Sequence, residues 1–268
     1  MIIRFLINSN IWVAFCALAL SLSSEILLQT RNPTISQFVF FATLFTYNFQ
    51  RVVRIKKGTI HARKNWLNKN RITVYFLIFF AFVISTFHFF NFKFSTQTII
   101  FSAAVLSLMY PFGFRTIPFA KIFIISFVWA ISTMLCLVIE NDIIITKNII
   151  LHLSSRFLFV FAITIPFDIR DLKYDIGKIK TIPLFFGVKK SKWLANFGLL
   201  ICGIIAVLQH LQNNIPFSNF LALVLLYFLS IALVIKSDKK NSEMYFSFLI
   251  ESLSIFSYLF LVIMLLIV

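Results

Sequence analysis

Asp168, Asp171 and Asp175 are three of only nine acidic residues in a chain of 268, and they fall within eight positions of one another. Spaced i, i+3 and i+7, they share one face of a helix, within about 60° of one another. Carboxylates held that close repel unless a cation sits among them. Mg²⁺ suits such a set, because it takes oxygen ligands and commonly joins one or two carboxylates to substrate phosphates. Arg170, Lys173, Lys178 and Lys180 surround the acids and could grip a polyanion. The plainer alternative is a solvated helix end carrying three acids among many lysines. Gly177, Pro183 and Gly187 then predict turns directly after the acids.

The elements that must position these residues are greasy. Hydrophobic residues make up 60% of the chain and Phe occurs 36 times; mean hydropathy is +0.94. That composition exceeds what a soluble domain needs and predicts an integral membrane protein. Apolar runs predict about nine transmembrane helices, at 9–28, 34–50, 72–90, 97–114, 119–139, 148–167, 193–211, 217–235 and 244–268. They form a single unit over 1–268. The first run, with Arg4 ahead of it and small residues behind, also fits a cleavable leader. Asn8 and Asn10 sit badly in such a leader, and the topology closes with the segment retained.

Lys and Arg number 21 in the N-terminus and the loops ahead of odd-numbered spans, against 3 in the remaining loops. This bias predicts a plasma-membrane protein with its N-terminus and the loops 51–71 and 168–192 in the cytoplasm, and its C-terminus outside. The net charge of +16 is then topology plus attraction to anionic lipid. No basic folded module for nucleic acid is visible. The two long loops follow spans two and six, which suggests two four-helix halves plus one helix, a plan that puts sites where halves meet. Cys16, Cys136 and Cys202 lie in apolar runs, where packing rather than disulfide formation is expected.

The stretch "DIRDLKYDIGKIKTIPLFFG" resembles the second aspartate-rich motif of the UbiA superfamily of intramembrane prenyltransferases, with Asp168, Asp171, Asp175, Gly177, Lys180, Thr181, Pro183 and Gly187 in register. "YPFGFRTIPFAKIFIISFVWA" is similar to the segment joining the family's fourth and fifth helices, with Tyr110, Arg115, Pro118 and Lys121 matching. The resemblance implies an all-α UbiA-like bundle that moves a prenyl group from a prenyl diphosphate to a hydrophobic acceptor, aromatic or lipid. It implies Mg²⁺ held by Asp168, Asp171 and Asp175. In this chain Asn48 and Tyr110 are candidate polar contacts at the mouth, and Arg51, Arg54 and Lys180 candidate basic contacts to the substrate. Metal and basic groups would stabilise the leaving diphosphate, while an aromatic cavity shields the carbocation.

One departure stands out. The family's first motif, N-D-x-x-D-x-x-x-D, belongs at the end of span two, where this chain reads "TYNFQRVVRIKKG". Asn48 remains, but no Asp or Glu occurs between positions 26 and 139. A second Mg²⁺ site is therefore not expected. Arg51 and Arg54 could grip the diphosphate in its place, the donor headgroup could differ, or catalysis could be lost with isoprenoid or lipid binding retained. Arg156 and Glu251, charged within spans six and nine, could pair or mark a polar patch for a headgroup. They also leave a small transporter as an alternative from another class.

Overall fold

The computed structural model describes residues 2–56, 63–109, 117–175 and 180–267, with side chains left aside at 173–175. Every described element is helical. In chain order they are α1 (Ile2–Asn8), α2 (Ile11–Leu27), α3 (Pro33–Lys56), α4 (Lys64–Lys69), α5 (Arg71–Phe90), α6 (Phe94–Met109), α7 (Ala120–Ala130), α8 (Cys136–Glu140), α9 (Lys147–Asp175), α10 (Ile182–Leu211), α11 (Phe217–Lys236) and α12 (Glu251–Ile267). A π-helical turn, Ile131–Leu135, joins α7 to α8, and another, Tyr245–Ile250, leads into α12.

Among the described residues each expected span falls on a helix, with 110–114 of the fourth lying outside them. By length and apolarity, six stretches of the described residues can cross a membrane, or seven if the bent pair α1–α2 counts as one. The count of nine is not reached on that measure. α6 has only 16 residues, and α3 carries Gln37, Thr43, Thr46, Asn48 and Gln50 among its apolar residues.

The helices form a closed circuit: α5 packs on α3, α3 on α2, α2 on α12, α12 on α11, α11 on α10, α10 on α9, α9 on α7, α7 on α6, and α6 returns to α3. Two apolar cores sit in this ring. One gathers α9 to α12 around Ile165, Leu199, Leu226 and Phe246. The other joins α2, α3, α6 and α8 around Ala17, Ile35, Phe38 and Leu137. Outward, Phe76, Phe79, Phe87 and Phe90 of α5 are exposed, as helices bathed in hydrocarbon allow.

Three local features set the site. α9 has 29 residues, about 44 Å of helix, so it outruns a hydrocarbon layer of about 30 Å and delivers its aspartates to the edge. α1 meets α2 at 78°, through Asn10 in the left-handed region (φ 60°). Gly187 bends the start of α10 with φ 80°, a conformation open to glycine and strained for other residues. That is the break the sequence predicted at this position.

Candidate functional site

The ring encloses a cavity of about 340 Å³. Its walls come from α1–α3, α6 to α9 and the π-turn and first turn of α12; α10 and α11 contribute nothing to it and pack behind α9 and α12. Within the bundle the lining is apolar and aromatic, including Val13, Phe38, Ile100, Val128, Trp129 and Val160. One end is charged, with Arg51, Arg54, Arg63, Lys121 and Arg170 beside Asp171, Glu243 and Glu251.

The aspartate pair is built by α9 and α7. Asp168 is 1% exposed and accepts a hydrogen bond from Lys121 Nζ at 2.5 Å. The same ammonium lies 3.8 Å from Asp171 Oδ2. The i, i+3 spacing therefore does bring both carboxylates to one cation, and among the described residues that cation is a lysine of the chain. A backbone bond from Phe119 N to Lys180 O, 2.9 Å, fastens the start of α7 to the segment after the motif and so fixes Lys121. Arg170 donates to both oxygens of Asp171, from Nε at 2.7 Å and Nη2 at 3.1 Å, and from Nη1 to Ser247 Oγ at 3.2 Å. This planar fork is the strong form of such pairing. Asp171 stays partly exposed and faces the cavity.

The arginine wall rests on the α1–α2 bend. Asn48 is fully buried. It accepts from Asn10 Nδ2 and donates to Ser9 O and Leu44 O, each at 2.9 Å. The bend turns the last carbonyls of α1, which lack helical partners, toward two guanidinium groups. Arg51 Nη1 donates to Asn8 O at 3.0 Å, and Arg63 Nη1 to Ile7 O at 2.8 Å. Arg63 also donates to Glu243 at 2.7 Å and to Ser247 Oγ at 2.8 Å. Ser247 is thus the shared acceptor of Arg63 and Arg170.

Of the residues the sequence pointed to, Asp171, Arg51 and Arg54 line the cavity. Asp168 lies behind Lys121. Asn48 lies behind the wall, with its amide engaged in holding the bend. Lys180 is exposed and outside the lining. Tyr110, Arg115 and the Asp175 side chain lie outside the described residues. Among the described residues no group of three His, Cys, Asp or Glu side chains is placed to hold a metal. Arg156 and Glu251 do not pair: Arg156 Nη2 donates to Ser23 and Ser24 hydroxyls at 2.8 and 2.9 Å, while Glu251 faces the cavity. Glu251 was read as one half of a pair or as part of a polar patch, and it lines the cavity; Arg63, Glu243 and Ser247 escaped the sequence reading. The signal was present: Glu243, Ser247, Glu251 and Ser254 are spaced four, four and three apart in an otherwise apolar stretch, a polar stripe on one helix face.

No protein-family model and no curated relative matches the chain. Solved structures do. A UbiA homologue from Aeropyrum pernix K1 superposes with a TM-score of 0.67 over 98% of both chains, at 12% identity. One from Archaeoglobus fulgidus, bound to GPP and Mg²⁺, gives 0.64 over 97% of this chain and 99% of that one, at 12% identity. A digeranylgeranylglyceryl phosphate synthase gives 0.63 over 97% and 96%, at 15% identity. The chain has the UbiA fold. In this UbiA-type bundle the charged end of the cavity combines Asp171 of α9 with Arg51 and Arg54 of α3.

Proposed function

We propose that this protein binds a prenyl diphosphate at the charged end of its cavity and transfers the prenyl group to a hydrophobic acceptor. The reading rests above all on one observation: within a UbiA fold, an apolar, Trp129-walled cavity ends in Arg51, Arg54, Lys121, Arg170 and Asp171. An isoprenoid tail suits the first part and a diphosphate the second.

The donor set fits one Mg²⁺ and not two. Asp171, though bonded to Arg170, faces the cavity, and Asp175 follows one turn later in the sequence, whereas Asp168 is buried behind Lys121 and outside the lining. When bound there, Mg²⁺ would neutralise charge on the diphosphate. The chain's own groups do the rest. Arg51 and Arg54 grip phosphate oxygens from α3, where the family has carboxylates. Lys121 and Arg170 hold the aspartates in place. Trp129 and Phe38 exclude water and face the allylic centre as charge develops. In this arrangement the charged end is cytoplasmic, as the distribution of Lys and Arg favours.

The test is incubation of purified protein with labelled geranyl diphosphate, Mg²⁺ and candidate hydrophobic acceptors. Prenylated product is the expected result. Tight binding without any turnover would instead mark a catalytically degenerate isoprenoid binder. Ion flux without isoprenoid binding would mark a transporter.

A further inference from the structure

Glu251 is the one carboxylate lining the cavity that, among the described residues, has neither a hydrogen bond nor a close ion pair. Asp171 is held by Arg170 and Glu243 by Arg63. The nearby guanidiniums are similarly engaged: Arg63 with Glu243, Ser247 and Ile7 O, Arg170 with Asp171 and Ser247, and Arg51 with Asn8 O. They act on Glu251 only at longer range.

The backbone delivers Glu251 to this position. It is the first residue of α12, directly after the π-helical turn Tyr245–Ile250. A π-turn inserts a residue and re-aims the side chains that follow it, and such turns gather at functional sites. Ser247, Glu251 and Ser254 all line the cavity. Glu251 follows Ser247 by about one turn, on the inner side of the charged end, and the helix runs on from it to the cavity-lining Ser254. On the α3 side of the same cavity, Tyr47 Oη accepts from Trp129 Nε1 at 3.2 Å. Keeping a carboxylate ionisable at that depth, unpaired, costs free energy that packing alone does not repay.

We infer that Glu251 receives the hydroxyl of the acceptor, binding its O–H and taking its proton during transfer. The inference rests on the prenyl-transfer reading and names the acceptor class, a hydroxyl borne on an apolar body. In the step, the C1–O bond of the prenyl diphosphate breaks and its electron pair leaves with the diphosphate. The acceptor oxygen bonds to C1, and its proton passes to the Glu251 carboxylate. Atoms and charge balance with no further reactant. A carboxylate-bearing headgroup is disfavoured at this position by like charge.

The experiment uses the full chain in detergent with 4-dodecylphenol and its methyl ether, read by quenching of tryptophan fluorescence, Trp129 being in the wall. Wild type should bind the phenol roughly tenfold more tightly than the ether. Glu251→Ala should bind both alike. With geranyl diphosphate and Mg²⁺, Glu251→Gln should transfer about 100-fold more slowly, with geranyl diphosphate affinity unchanged. Glu251→Asp, one methylene shorter, should recover part of the rate, and melting curves confirm that each variant is folded. Equal binding of phenol and ether by wild type overturns the inference, as does a wild-type transfer rate in Glu251→Gln. Discrimination between phenol and ether that is lost in Glu251→Ala, with no transfer by wild type, keeps the hydroxyl site and overturns the transferase reading instead.

Discussion

The Lys121 ammonium stands between two carboxylates of one helix face, 2.5 Å from Asp168 Oδ1 and 3.8 Å from Asp171 Oδ2. Asp168 is almost wholly buried, so this contact is structural before it is anything else. Lys121→Met strands a buried charge and should cost about 3–5 kcal/mol of stability. The double variant Lys121→Met, Asp168→Asn should recover most of it. Thermal melts of the three proteins in one detergent check this, and a double variant no better than the single would refute the pairing.

The two aspartates should separate by readout. Asp171→Ala removes a carboxylate that faces the cavity and frees the Arg170 fork, so Mg²⁺-dependent affinity for geranyl diphosphate should fall roughly tenfold or more, the scale of a charge-assisted contact of about 1.5–3 kcal/mol. Asp168→Ala should act mainly on the melting temperature. Calorimetric titration with and without Mg²⁺ distinguishes them, and equal affinities for wild type and Asp171→Ala would remove the proposed metal position.

Arg51 and Arg54 are a further test. If they grip phosphate oxygens, Ala at either position should weaken diphosphate binding about tenfold or more, and Lys should restore only part, because it lacks the planar fork. If they only anchor α3 to anionic lipid, Lys should serve fully. Arg51→Ala should also loosen α1, since its bond to Asn8 O is lost.

Asn48 makes a different kind of prediction. Three hydrogen bonds converge on its amide. Asn48→Asp keeps the shape but turns the donor into an acceptor facing Ser9 O and Leu44 O. Stability should drop by about 2–3 kcal/mol, and proteolysis near residues 1–10 should accelerate. An unchanged digestion pattern would show that the bend does not depend on this amide.

Orientation can be read directly. With Cys16, Cys136 and Cys202 replaced, single cysteines at the exposed positions Lys64 and Lys190 should label from the same, cytoplasmic side. Labelling from opposite sides would break the shared charged end.

Much of this was legible because membrane helices write their limits plainly. Among the described residues each expected span lies on a helix, and Gly187 bends where it was read to bend. Asp168 and Asp171 share a face as their spacing required. What was not legible depends on which distant helices meet. Nothing in the sequence says that Lys121 reaches both acids, nor that Asn48 faces the bend at Asn10 instead of the cavity. Arg63 looked like one cation in a basic loop. Only the return of Glu243 and Ser247, some 180 residues later, makes it part of the wall. The π-turn before Glu251 was equally hidden, since its sequence, YFSFLI, reads as ordinary apolar helix.

The bond from Arg51 to the end of α1, the Arg63 link to Glu243 and the Arg170 fork on Asp171 have a common consequence. The charged end of this cavity is kept in a state of internal truce, with Arg51, Arg63 and Arg170 each bound to an oxygen of the chain itself. A visiting anion must replace those oxygens rather than fill a void. A lone carboxylate or chloride has too few oxygens or too little charge to make the exchange worthwhile, whereas a diphosphate brings several of both.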